Sequence, residues 1–150
     1  MPRPFSLQPL LELMQTRADE ATRQLGQLIA AEQNQRSRLQ MLEQYRGEYA
    51  QRMLEASASG VTRQMLRNYQ EFLARIDEAI GQQKTVVEDS ERNTQAGQDH
   101  WRAQNSRLKA IDTLSQRHDA RERYQEGRQE QKLLDEFNTR KYSRRNTAKE

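Results

Sequence analysis

The sequence contains no cysteine, which excludes disulfides and thiolate metal sites and suits a reducing cytosol. Proline occurs three times, as Pro2, Pro4 and Pro9, so after the first few residues nothing forces a helix to break. The two histidines, His100 and His118, stand apart with no ligand-spaced partner, and no metal site is expected. No apolar run approaches the roughly 18 residues that a membrane span needs. The opening "MPRPFSLQPLLELM" has no signal-peptide core ending in a small-residue cleavage site. A soluble protein without membrane insertion is therefore expected. Machinery for chemistry is missing as well: there is no glycine-rich phosphate loop and no Cys/His nucleophile arrangement. Asp135 and Glu136 adjoin on a helix but point in different directions. No catalytic residue, no cofactor and no enzymatic activity are expected.

Apolar residues are also few. They make up 33% of the chain against 31% charged residues, and mean hydropathy is −1.20. Such values exclude a thick core and leave either disorder or a thin apolar seam. Confined prolines and periodic leucines favour the seam. Net charge is +3 and the isoelectric point about 9.4. The excess lies entirely from Ser115 onward, where 10 Lys/Arg face 7 Asp/Glu, leaving 15 of each sign in residues 1–114.

What the chain does have is a heptad. Positions alternately four and three apart read Leu7, Leu11, Met14, Ala18, Ala21, Leu25, Leu28, Glu32, Gln35, Leu39, Leu42, Arg46, Tyr49 and Met53. In the second half the same spacing gives Leu66, Tyr69, Leu73, Ile76, Ile80, Gln83, Val87, Ser90, Thr94, Gly97, Trp101, Gln104, Leu108 and Ile111. Two sustained heptad seams in a Gln-, Arg-, Glu-, Leu- and Ala-rich chain predict two long helices.

Between them lies "EASASGVT". Folding the chain there places Met53 opposite Leu66, Tyr49 opposite Tyr69, Leu42 opposite Ile76 and Leu39 opposite Ile80, pairs whose numbers add to 118 or 119. The polar layers coincide too, Gln35 with Gln83 and Glu32 near Val87, while Trp101 falls opposite Ala18 and Gly97 opposite Ala21. A helix running straight through has no reason to keep this register. Gly60 suits the left-handed backbone of a helix end, Thr62 can cap the second helix, and Ser6 the first. The fold predicted is all-α: a long antiparallel two-helix coiled-coil hairpin, the second helix overhanging the first. It forms a single domain over residues 1–150, with helix one at about 6–56, near 75 Å long at ~1.5 Å per residue. The turn is expected at about 57–61, helix two at about 62–139 and a frayed basic tail at about 140–150. Past Ile111 the seam positions become Ser115, His118, Glu122, Gln125, Gln129 and Lys132, leaving some 25 residues with nothing to bury against helix one.

Two places carry more than a coiled coil requires. Near the turn, Tyr45, Phe72 and Met65 lie just outside the seam on the edge that holds Ala31, Ala79 and Val86; the opposite edge carries Glu43, Ala50, Gln70 and Asp77. Tyr45 and Phe72 either staple the hairpin tip, shielded by the stems of Arg38 and Arg52, or form a docking face for a partner. On the overhang, Leu133, Leu134 and Phe137 form a small apolar spot on an otherwise charged helix, read either as solvated or as a partner contact.

The segments "FSLQPLLELMQTRADEATRQL", "NYQEFLARIDEAIGQQKTVV", the tryptophan followed by "LKAIDTL", and "RQEQKLLDEF" occur in an order that resembles the flagellar export protein FliJ family, type III secretion stalk proteins, over nearly the whole chain. The resemblance implies a non-enzymatic stalk or coupling protein of the flagellar type III export apparatus. The partners it implies are the flagellar export ATPase and its regulator, the cytoplasmic domain of the membrane export gate, and export chaperones. It also implies a cytoplasmic location, peripheral at the inner-membrane export apparatus. Carried over by position, the family's gate-facing patch falls on Leu42, Tyr45, Tyr49, Phe72, Ile76 and Ala79, with Gln83 at its end. The ATPase end falls on the N-terminal segment and on Leu133, Leu134 and Phe137. An intramolecular coil implies a monomer in isolation. The basic C-terminal part also fits a coiled-coil nucleic-acid-binding protein, but the neutral first 114 residues and the acids interleaved on the overhang argue against nucleic acid. A generic coiled-coil scaffold or chaperone is the third reading.

Overall fold

A computed structural model describes residues 3–148. Two helices account for nearly all of them: α1 (Gln8–Ser59), of 52 residues, and α2 (Arg63–Ala148), of 86. Between them Gly60 takes a φ of +90°, where a side chain would be strained and glycine is not. Thr62 then caps α2 as its position suggests, its Oγ1 accepting from the Met65 amide at 3.2 Å. The hairpin reading is correct, and the turn is tighter than expected, because α1 continues to Ser59, whose hydroxyl donates back to the Glu55 carbonyl at 3.1 Å.

The chain divides into two compact units. The first, Asp19–Ala103, is an antiparallel hairpin whose buried line is Ala21, Leu73, Ile76, Ile80, Val87 and Thr94. Its register is the one read from the two stripes. Tyr49 meets Tyr69 with ring centroids 5.3 Å apart. The Gln83 side-chain amide donates to both the Gln35 side-chain oxygen and its backbone carbonyl, at 2.8 and 2.9 Å. Thr94 donates to the Leu28 carbonyl at 3.4 Å, so this polar layer is satisfied as buried layers must be. Gly97 differs in detail from expectation. A Cβ there would lie 2.5 Å from Leu28 Cδ1 and 3.6 Å from Leu25 Cδ1. Leucines rather than Ala21 therefore take up the space that the glycine opens. Trp101 is half-buried, and its indole N–H donates to Thr22 Oγ1 at 2.9 Å, giving the ring's polar edge the partner that a covered indole needs.

The second unit joins the described parts of Met1–Ala18 and Gln104–Glu150. Met14, Ala18 and Gln104 are buried, with Leu11, Leu108 and Ile111 half-buried beside them. The seam does not stop at Ile111. Ahead of α1 the chain lies along α2: the Phe5 ring is 5.5 Å from the His118 ring, His118 Nε2 bonds the Arg3 carbonyl at 2.8 Å, and the Arg3 amide donates to Glu122 Oε2 at 3.2 Å. This strap covers seam positions that the sequence left open. From Gly127 to Ala148 every residue is exposed. The helix nonetheless persists to Ala148, past its expected end near 139 and into the stretch read as a frayed tail. No glycine or proline interrupts Asn138–Ala148. Arg145 in the last turn complements the helix dipole, and Thr139 and Thr147 donate to carbonyls one turn back.

Candidate partner-binding surfaces

At the hairpin tip, four aromatic side chains converge from both helices. Tyr49 on α1 is the hub, with ring centroids 4.4 Å from Phe72, 5.3 Å from Tyr69 and 6.4 Å from Tyr45. Tyr45 meets Phe72 edge-on at 6.2 Å, a favoured arrangement for rings whose faces and edges carry opposite partial charge. The six candidate tip residues sit at graded depth. Ile76 is buried in the seam; Leu42, Tyr49, Phe72 and Ala79 are half-buried; Tyr45 is 44% exposed. The stapling contacts are therefore present, and the same cluster leaves one tyrosine in solvent.

Beside Tyr45 lies an exposed residue that seam-reading passed over. Met41, one turn away on α1, is 69% exposed, and a shallow depression there is lined by Met41, Leu42, Gln44, Tyr45 and Glu48. Its signal was the i, i+4 spacing from Tyr45. Met65, placed on this edge by spacing, is exposed as well.

The opposite edge is polar and ionic. Arg46 forms an ion pair with Asp77 across the two helices, a second contact running from Nη2 to Oδ2 at 3.4 Å. The hydrogen bond first, and Asp77's charge second, raise the guanidinium pKa above its already high value. Further along, Arg36 bridges to Glu91 at 2.8 Å and reaches Glu32 at 3.8 Å. Exposed pairs of this kind contribute little stability, but they set which edge of the hairpin is charged and which is greasy.

In the other unit, Leu133, Leu134 and Phe137 are all exposed on α2. A surface depression lined by Gln129, Lys132, Leu133 and Glu136 lies beside them. Tyr124, two turns earlier, is also exposed, with Arg128 lying 6.0 Å from its ring centroid. What the sequence missed in this unit is the strap of Arg3 and Phe5 on His118 and Glu122. It precedes the helix in a proline-bearing stretch where no periodicity operates.

Among the described residues, no group of three or more His, Asp or Glu side chains could hold a metal ion, and no helix is long and apolar enough to cross a membrane. The exposed apolar residues described above, Met41 and Tyr45 near the turn and Leu133, Leu134 and Phe137 on α2, each lie beside charged side chains.

Known proteins give the context. The sequence model of the family described as "Flagellar FliJ protein" matches residues 3–147. The chain is 30% identical over 132 residues to the flagellar FliJ protein of Salmonella typhi, covering 88% of this chain and 90% of that one. It is 29% identical, with the same coverage, to the flagellar FliJ protein of Escherichia coli strain K12. With a match running almost end to end and a two-helix antiparallel fold, this chain belongs to the flagellar FliJ family.

Proposed function

We propose that this protein is a non-catalytic stalk that links the flagellar export ATPase to the cytoplasmic domain of the membrane export gate, with a second part in handling export chaperones. It acts in the cytoplasm, peripheral to the inner-membrane export apparatus. Flagellar family membership supports the setting. The single observation that carries the reading is that the fold buries its seam, with Gln104 Oε1 there left without a hydrogen-bond partner, yet leaves two apolar surfaces uncovered, the Tyr45–Met41 edge of the tip and the Leu133–Phe137 face of α2. A protein that only needed to fold would have covered or charged both. In this reading the tip edge, with Leu42, Tyr49, Phe72, Ile76 and Ala79 behind Tyr45, meets the gate. Leu133, Leu134 and Phe137 meet the ATPase and, in part, its regulator.

The test is an ATPase assay with the cognate export ATPase, with and without the full-length chain. Stimulation is expected, and Leu133→Asp with Phe137→Asp removes it while leaving helicity by circular dichroism intact, since both side chains are exposed. Tyr45→Ala leaves the stimulation in place. An ATPase indifferent to the wild-type chain refutes the coupling role.

A further inference from the structure

Beyond Glu126, α2 has no cover from its own chain: residues 127–148 are exposed throughout. One position round from the seam's continuation at Gln125, Gln129 and Lys132, a second stripe of the same spacing runs from the edge of this stretch through Glu126, Glu130, Leu133, Phe137, Arg140 and Arg144. They alternate four and three apart, so their side chains share one face. Leu133 and Phe137 are 65% and 63% exposed, whereas the seam residues Ile76 and Ile80 are 6% and 8%. Among the described residues, none of the four charged side chains has an ion-pair partner.

The order along this face is acid, acid, apolar, apolar, base, base. Turned end for end and laid against itself, the face sets Glu126 opposite Arg144, Glu130 opposite Arg140 and Leu133 opposite Phe137, each pair of numbers adding to 270. We propose that the end of α2 pairs antiparallel with the same segment of a second copy of this chain, an isologous two-fold contact. Charge complementarity selects this occupant. A parallel copy would oppose like charges at every ionic layer. A uniformly acidic helix would meet Glu126 and Glu130, and a uniformly basic one Arg140 and Arg144. The intramolecular cover that argues for a monomer reaches as far as half-buried Glu126, which lines a depression with Arg3, and the five later positions of the face are exposed.

The pair is weak and salt-sensitive, because two apolar layers and exposed ion pairs hold it. It covers the same leucine and phenylalanine that the ATPase reading uses. Where that reading holds, a second copy and the ATPase compete for one face. The self-pairing does not depend on it, and the purified chain alone decides.

Sedimentation equilibrium of the full-length protein across a concentration series tests the pairing. The expected result is a mass rising from monomer toward dimer at low salt, with association falling about fivefold or more between ~0.05 and ~0.5 M salt. Two full-length variants sharpen the test, Glu126→Arg with Glu130→Arg, and Arg140→Glu with Arg144→Glu. Glu130, Arg140 and Arg144 are exposed and Glu126 is half-buried, and circular dichroism checks that the helices persist. Alone, each variant carries one sign along the whole face and loses self-association by about tenfold or more; mixed, they oppose charges at every layer and recover it. A chain that stays monomeric at low salt throughout the series, a variant that self-associates as the wild type does, or a mixture that fails to associate overturns the proposal.

Discussion

Tyr45 and Tyr49 sit one turn apart on α1 and do different jobs. Tyr49 packs against Tyr45, Tyr69 and Phe72 and is half-buried, so truncating it removes apolar burial and leaves rings without neighbours. Tyr49→Ala is expected to cost about 2–3 kcal/mol, below the value for a fully buried aromatic because part of its surface is already wet. Tyr45 shares the cluster edge-on yet keeps nearly half its surface in solvent. Tyr45→Ala is expected to cost about 1 kcal/mol or less, while weakening binding to the gate domain at least tenfold if that edge docks. Thermal melts of both variants, with binding measured on the isolated gate domain, separate the roles. Equal losses of melting temperature with unchanged gate binding would make Tyr45 a staple. The pairings Tyr49–Tyr69, Tyr45–Phe72 and Gln35–Gln83 were legible in the sequence because one register, read over many layers, fixes each of them. Met41 was legible by the same rule, since it precedes Leu42 in the stripe as Tyr45 precedes Arg46, but an edge position does not by itself say how exposed the side chain is. Phe5 on His118 was not legible, because outside a helix no period says where a side chain points.

Helix ends were the least legible parts. The alternation of four and three marks where a seam runs, but it does not mark where a helix without a seam stops. The charge and terminal place of residues 140–148 suggest a frayed tail, whereas Arg, Lys and Ala are good helix formers and no glycine or proline there breaks the helix. Persistence of the helix is a statement about geometry. Its strength is another matter, since a helical stretch of about 20 residues without packing is marginal in water. Amide hydrogen exchange on dilute protein should therefore divide α2 sharply. Amides around Ile76 and Ile80 should exchange only by global opening, and those around His118, held by the Phe5 strap, should be intermediate. Amides beyond Gly127 should exchange within about a hundredfold of the unfolded rate. Protection there equal to the seam's, in dilute protein without a partner, would mean that the exposed segment is covered by something the fold does not supply.

At the scale of the whole molecule, charge decides between a protein partner and a nucleic acid. Residues 1–114 are neutral, and the excess of three positive charges lies in the remainder. There, Arg140, Lys141, Arg144 and Arg145 occupy the last turns of α2, but Glu126, Glu130, Asp135 and Glu136 lie just before them on the same helix. A helix of alternating blocks offers phosphates one short basic stretch and then repels the next. About four cations can engage duplex DNA, so the slope of log affinity against log salt should be no steeper than about −4, and binding should be lost near ~0.15 M salt. On the proposed stalk reading, association with the export ATPase through Leu133 and Phe137 should instead survive that salt and vanish with Leu133→Asp. Fluorescence anisotropy on labelled duplex, run beside a pull-down of the ATPase in the same buffers, gives both slopes. A DNA slope nearer −8, persisting at physiological salt, would show a phosphate-tracking surface. It would make the basic end of α2, and not its apolar face, the feature that defines the protein's work.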